Sequence, residues 1–289
     1  MAKQRTIRSV VEYSGIGLHT GNKSTARFLP APINSGITFV RKDILGEPRI
    51  LAEIGNVVGV IRGTTIGDGQ AVVHTVEHIC SALLGLQIDN VIVEINANEP
   101  PVADGSSSFF VETLMKAGFE EQDAPRKEWV CAQEYTYRNN TTEIRISPSE
   151  NLVVHCKLLF DHPMIGTQEN TFTITPESYV KEIARARTFC FDYEVEALKR
   201  KGLAVGGSLD NAVVVGIDRI YNQEKVLRYP DEFVRHKVLD FLGDLFLLGY
   251  FVRGRIDAIK IGHGHNINFV REIKEKFLKT MSKSKENFL

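Results

Sequence analysis

His236, Asp240 and Asp244 recur at steps of four within Asp231 to Leu248, a segment that is otherwise apolar almost all round. From Val238 to Gly249 the two aspartates are the only residues with polar side chains. Residues at i, i+4 and i+8 share one face of a helix, so the spacing predicts a polar ribbon opposite the stripe Val234, Val238, Phe241, Leu245 and Leu248. A buried carboxylate is costly unless it is paired, hydrogen-bonded or bound to a metal. His236 and Asp240 therefore read as two-thirds of a metal site that wants a third ligand.

A second group, His74-Thr-Val-Glu77-His78, supplies two readings. In one, His74 and His78 lie four apart on a helix and both bind zinc while Glu77 is the general base, the pattern of inverzincin metallopeptidases. That reading leaves His236 and Asp240 unexplained. In the other, His78 alone joins His236 and Asp240, with Glu77 beside it as base. Two imidazoles and one carboxylate leave a fourth zinc position open, as catalytic rather than structural zinc requires. Such a site yields a hydrolytic nucleophile at neutral pH.

The elements that must position these residues follow from periodicity and punctuation. Strands are predicted over Thr6–Tyr13, Ser24–Leu29 and Gly36–Arg41. A helix over Val73–Leu84, a strand over Val91–Ile95 and a helix over Ser106–Lys116 follow, with the Asp104-Gly-Ser turn as its cap. After Pro125, the expected domain boundary, strands are predicted over Glu128–Tyr137, Thr142–Ser147 and Leu152–Phe160. Thr175-Pro-Glu opens a helix running to Ala186, and residues from Glu194 to Ile217 read as a βαβ-type insertion. The helix over Asp231–Leu248, a strand over Ile256–Ile261 and a last helix over Ile267–Lys279 complete the chain. Both parts end in helix, strand, helix, a sign of internal duplication that would let the first helix of each triplet face the other across a cleft.

The 289 residues suit one large or two smaller domains, and 43% hydrophobic content suits a sizeable core. Thirty-five Lys and Arg balance 36 Asp and Glu, so no field recruits nucleic acid. No apolar run is long enough to span a bilayer. The opening residues lack the apolar stretch of a secretory signal, and the expected location is the cytoplasm. Cys80, Cys131, Cys156 and Cys190 are too dispersed for a thiolate zinc site or a disulfide framework and read as reduced core thiols. Gly15-Ile-Gly-Leu-His-Thr-Gly21 lacks the lysine and spacing of a nucleotide loop and reads as a β-turn. The alternating Lys and Glu of Lys274 to Lys285 read as a solvated helix end.

Stretches running through most of the chain resemble the zinc-dependent UDP-3-O-acyl-N-acetylglucosamine deacetylases of lipid A biosynthesis. They are Tyr13-Ser-Gly-Ile-Gly-Leu-His-Thr-Gly21, Thr75-Val-Glu-His78, Ile88-Asp-Asn90, Glu99-Pro-Pro-Val-Ala-Asp-Gly105, Arg185-Ala-Arg-Thr-Phe189, His236-Lys-Val-Leu-Asp240 with Gly243-Asp244, and Gly262-His263. The resemblance implies an α+β fold of two similar domains, 1–125 and 126–289. Each would be a layered β-α-α-β sandwich with an insertion, the helices packed between two outer sheets. It implies zinc held by His78, His236 and Asp240, with Glu77 as general base. His263, in preference to His265, would be the acid that protonates the leaving amine, oriented by Asp244. Thr188 would help hold the oxyanion, and Lys237, Phe189, His19 and Phe191 would contact substrate. The insertion at about 191–217 would hold the acyl chain, with Val195, Leu198, Leu203, Val205, Val213 and Val214 as its lining. The expected partner is the small UDP-acylglucosamine substrate, bound by a monomer with no nucleic acid, no transmembrane segment and at most transient membrane contact. Some members carry a cysteine near the zinc where this chain has Gly63, which disfavours a second, inhibitory metal site there.

Overall fold

The computed structural model describes residues 2–222 and 226–278. Two mixed sheets carry the fold, and they share one strand order. In the first, the hairpin Val11–Ile16 and Lys23–Pro30 is followed across the sheet by Val91–Ile95, then Ile37–Arg41 and Arg49–Leu51. In the second, the hairpin Tyr135–Asn139 and Thr142–Ser147 is followed by Phe251–Ile259, then Leu152–Leu159 and Thr167–Thr173. Each sheet has its last-formed strand third in order, and that strand pairs parallel with the next one across. The helix-strand-helix order read from the sequence is thus accompanied by a matching strand order in the two sheets. A short strand, Glu128–Val130, also pairs with Phe251–Ile259.

Among the described residues, six α-helices are built on these sheets: α1 (Glu77–Gly85), α2 (Ser108–Ala117), α3 (Pro176–Ser178), α4 (Asp192–Arg200), α5 (Glu232–Phe246) and α6 (His263–Ile273). Helix α1 packs along α5, α2 lies against the first sheet, and α5 lies against the second and against α6. The strands alternate buried and exposed positions, as one-sided packing demands. Helices α1 and α5 are instead buried nearly all round, because α1 packs between α5 and α2 while α5 packs between α1 and the second sheet. Their contact is close: a Cβ on Gly243 of α5 would come within 2.1 Å of the Glu77 carbonyl oxygen.

Each sheet region carries an insertion. Val57–Gly59, Thr65–Gly67 and Val72–Val73 form a small antiparallel sheet before α1. Phe189–Phe191 and Val213–Val215 pair in parallel with α4 between them, a βαβ unit. A strand pair, Lys3–Ile7 with Phe119–Pro125, lies outside both large sheets. No helix among the described residues is long and apolar enough to cross a membrane.

Several boundaries differ from expectation, for reasons of pairing. Thr6–Tyr13 is not one strand: Lys3–Ile7 pairs with Phe119–Pro125, whereas Val11–Ile16 belongs to the first sheet. Glu128–Tyr137 divides likewise between two partners. The expected helix from Val73 begins only at Glu77, because Val72–Val73 is recruited as a strand and Thr75 takes a left-handed φ of 54°. After α3 the chain continues as a π turn, Tyr179–Ile183, whose Tyr179 side chain is fully buried against Gly85 of α1. The strand expected at Ile256–Ile261 starts earlier, at Phe251, and ends at Ile259, while α6 starts earlier than expected, at His263. Lys274–Leu278 extends it as a π turn. The remainder of the charged tail, from Lys279, lies outside the described residues.

Gly243→Ala is expected to force α1 and α5 apart and to lower the unfolding free energy by about 1–3 kcal/mol, the cost of overpacking a filled core. Denaturant titration measures it, and an unchanged midpoint would show that the helix crossing tolerates a methyl group.

Candidate metal centre and active site

His78, His236 and Asp240 meet where α1 faces α5. His236 Nε2 lies 3.3 Å and His78 Nε2 3.7 Å from Asp240 Oδ1. The two imidazoles stand at 82° with centroids 5.3 Å apart. All three side chains are buried. His236 Nδ1 contacts the Ala186 carbonyl at 3.1 Å, a bond in which the ring nitrogen donates, so Nε2 is left unprotonated toward the centre. Burial, opposed by Asp240, lowers the His236 pKa to about 3, so the ring is a neutral ligand at pH 7. Burial would raise the Asp240 carboxyl, but His236 and Lys237 outweigh it and hold the group well below the usual range. Lys237 Nζ donates to Oδ2 at 2.8 Å, which leaves Oδ1 facing the imidazoles. Two imidazole nitrogens and a carboxylate oxygen lying within 4.8 Å of one another suit a divalent transition metal.

Glu77 and His263 stand beside this triad. His263 Nε2 is 3.7 Å from Glu77 Oε1 and 3.9 Å from Asp240 Oδ2. Its Nδ1 donates to Asp244 Oδ2 at 2.9 Å. Burial disfavours the His263 imidazolium, yet Asp244 and Glu77 outweigh it and raise the pKa to about 10. His263 is therefore charged near neutrality and can release a proton from Nε2. Burial raises Glu77 above its ordinary value, with His263 and His78 opposing, which suits a carboxylate that must accept a proton. The polar ribbon on α5 thus has two neighbourhoods: His236 and Asp240 face His78, and Asp244 faces His263.

Two residues absent from the sequence-derived set complete this network. Thr64, fully buried, donates from its backbone to Glu77 Oε2 at 2.9 Å and from Oγ1 to Asp244 Oδ1 at 2.6 Å. Asn266 Nδ2 donates to Asp244 Oδ2 at 2.9 Å. Neither had a signal in one chain, since a threonine in a turn and an asparagine in a helix are ordinary. Glu99, fully buried, was visible only as part of a matching stretch. Its carboxylate accepts from the backbone of His19 and Thr20 and from the hydroxyls of Thr20 and Thr75, and so shapes the Gly17–Gly21 turn.

A cavity of about 450 Å³ opens from the centre and takes in His19, Thr188, Phe189 and Lys237. The Lys237 ammonium stands 5.5 Å from the Phe189 ring centroid. His19 Nε2 lies 3.1 Å from the Arg62 carbonyl, and the Arg62 guanidinium bonds Glu194 of α4 at 2.5 Å, linking the two insertions at the cavity edge. Phe191 does not line the cavity: it is buried against Phe160, His162 and Tyr193. Of the expected passage residues, Val195, Leu198 and Val214 line the cavity, whereas Leu203, Val205 and Val213 do not. Val213 is fully buried on the far face of its strand, and Val205 packs over Gly21. Cys190 is a correction of a different kind. Cys80, Cys131 and Cys156 are buried thiols, but Cys190 is half-buried and lines the cavity.

The geometry also separates the two histidine readings. Because α1 starts at Glu77, His74 is not on the helix with His78; its Nδ1 lies 3.0 Å from Thr65 Oγ1. His265 Nδ1 contacts the Tyr137 hydroxyl at 3.1 Å, so of the two only His263 joins the centre. The Asp104 turn ties Ser106 by its backbone and hydroxyl and pairs with Arg228, while Ser107 donates to the His78 carbonyl. A Cβ on Gly63 would lie 3.0 Å from Glu77 Oε1, so a thiol at that position would face the carboxylate.

Thr64→Val keeps the backbone bond to Glu77 but leaves Asp244 without its hydroxyl donor. Unfolding should become easier by about 1–3 kcal/mol, the cost of stranding a buried acceptor, as read by denaturant titration; a variant as stable as the parent would remove Thr64 from this network.

A family model described as UDP-3-O-acyl N-acetylglycosamine deacetylase matches residues 4–275. Curated relatives bearing the name UDP-3-O-acyl-N-acetylglucosamine deacetylase agree along nearly the whole chain. The one from Acidithiobacillus ferrooxidans is 46% identical over 275 residues, covering 94% of this chain and 90% of the relative. That from Teredinibacter turnerae is 45% identical, covering 96% and 91%, and that from Mannheimia succiniciproducens 42%, covering 94% and 90%.

Proposed function

We propose, from the premise that this chain belongs to the UDP-3-O-acyl N-acetylglycosamine deacetylase family, that it hydrolyses the N-acetyl group of UDP-3-O-acyl-N-acetylglucosamine in lipid A biosynthesis, releasing acetate. The observation that carries its chemistry is the adjoining of two sets: a His78, His236 and Asp240 triad suited to a metal, and a Glu77 and His263 pair beside it, all at the head of one cavity.

His78, His236 and Asp240 would hold a zinc ion. When bound, zinc polarises a carbonyl and lowers the pKa of water to about 7. Glu77 takes a proton from the water that adds to the acetamide carbon. The Thr188 hydroxyl donates to the oxygen on which negative charge develops. His263 then passes its Nε2 proton to the nitrogen as the C–N bond breaks, and its Nδ1 bond to Asp244 keeps the ring oriented throughout. Acetate and the free amine leave. Lys237, Phe189 and His19 hold the UDP-linked sugar, and the apolar wall formed by Val195, Leu198 and Val214 takes the acyl chain.

The same reading takes 1–125 and 126–289 as two repeats, which the shared strand order of the sheets supports. It takes the enzyme to work as a monomer. It places the work in the cytoplasm, where nucleotide-activated sugars are handled.

The test is acetate release from UDP-3-O-acyl-N-acetylglucosamine, abolished by chelation and restored by zinc. His236→Ala is expected to lose stoichiometric metal and His74→Ala to keep it. Glu77→Ala should retain metal while losing at least about a hundredfold in kcat, the scale of a general base. Near-normal turnover by a metal-loaded Glu77→Ala enzyme would remove Glu77 from the mechanism. Metal loss on His74→Ala with retention on His236→Ala would reinstate the peptidase-like ligand set.

A further inference from the structure

The cavity runs from the metal centre into the second insertion, and a contact at its far end has no role in the chemistry above. Phe189–Phe191 and Val213–Val215 run in parallel, Phe189 opposite Val213 and Phe191 opposite Val215. They advance together at about 3.3 Å per residue, away from Phe189, whose ring centroid lies 6.4 Å from that of His236. At their far ends the chain reaches Asp192 on one side and Gly216 on the other. It then reverses: Gly216 donates to the Arg219 carbonyl, Val215 bridges Ile220, and the Tyr221 backbone donates to the Val214 carbonyl.

This reversal swings the Tyr221 side chain over the strand ends. Its hydroxyl donates to Asp192 Oδ2 at 3.1 Å, which ties the two sides of the insertion together. The ring sits on Gly216, where a Cβ would come within 2.6 Å of Cε2. Tyr221 and Asp192 line the same cavity as Val195, Leu198, Leu209 and Val214. Tyr221 is also 44% exposed, so its ring stands between apolar wall and water.

We infer that Tyr221, tied to Asp192, is the end stop of the acyl passage and sets the longest acyl chain that the enzyme accepts; this rests on the reading of that cavity as the acyl site. A methylene that reaches apolar wall gains by leaving water. One that meets the phenol must displace it, break its bond to a carboxylate and emerge beside polar groups. Preference therefore falls where the ring begins. Tyr221 determines specificity by touching substrate and takes no part in the chemistry.

A series of UDP-3-O-acyl-N-acetylglucosamines with saturated acyl chains of increasing length tests this, with kcat/KM measured for the parent, Tyr221→Ala and Tyr221→Trp, each loaded with zinc. Tyr221→Ala should raise the ratio of long-chain to short-chain kcat/KM by about tenfold or more, the scale on which an apolar pocket discriminates single methylenes. Tyr221→Trp should lower that ratio and shorten the preferred chain. Equal length profiles for all three would overturn the end stop while leaving the deacetylase reading intact. A parent enzyme that releases acetate from no member of the series would overturn that reading, and the inference with it.

Discussion

The Glu77 carbonyl oxygen occupies the space that a side chain at position 243 would need, and the active centre depends on that approach. Helices α1 and α5 come together because each is apolar on nearly every face and must be covered by something other than water. Glycine at the crossing permits contact close enough for His78 Nε2 to lie 3.7 Å from Asp240 on the opposing helix. A side chain there would hold His78 on α1 away from His236 and Asp240 on α5. The polar ribbon is tolerated in the core because every member has a partner: His236 has Ala186, Asp240 has Lys237 and the two imidazoles, and Asp244 has Thr64, His263 and Asn266.

Charge is distributed across this interface with a consistent logic. The carboxylate among the metal-ligand groups is held ionised by the cation on its outer side, and the imidazole next to it is held neutral by burial. A few ångströms away, Asp244 has the opposite effect on His263, which it keeps protonated. Two histidines in one buried centre thereby differ in protonation at pH 7, one suited to ligation and one to proton donation. What separates them is the partner of each ring: a carbonyl for His236 Nδ1 and a carboxylate for His263 Nδ1.

The insertions divide the labour of enclosing the cavity. The first contributes Thr64 to the network under Glu77 and Arg62 to the cavity edge; the second contributes Thr188 and Phe189 near the centre and an apolar wall beyond. The Arg62 to Glu194 ion pair and the seating of Val205 over Gly21 join the two, so the cavity is formed by contacts between elements distant in the chain. Two sheets of one strand order each carry a first helix toward the other, and their insertions meet over the cavity.

Much of this was legible in residue order alone. Periodicity marked α5 and its ribbon, because a strongly apolar helix makes each polar residue conspicuous; His78, Glu77, His236, Asp240 and Asp244 stood in readable spacings, whereas His263 came only from the family resemblance. Local pattern could not give the start of α1, since Val72 and Val73 have the apolar character of either a helix or a strand; pairing with Thr65–Gly67 decided it, and with it the exclusion of His74 from the helix. Thr64 and Asn266 were silent for a related reason: their importance lies wholly in which acceptor the fold brings within 3 Å. Alternation in the short strands of the second insertion likewise left open which face meets the cavity, and packing turned Cys190 and Val214 inward and Phe191 and Val213 away. Sequence by itself determined the chemistry available, since side-chain type and helical spacing are local properties. Tertiary structure alone decided which groups share a proton, a ligand position or a wall, because those relations join residues from different elements, His78 and Asp240 among them on separate helices.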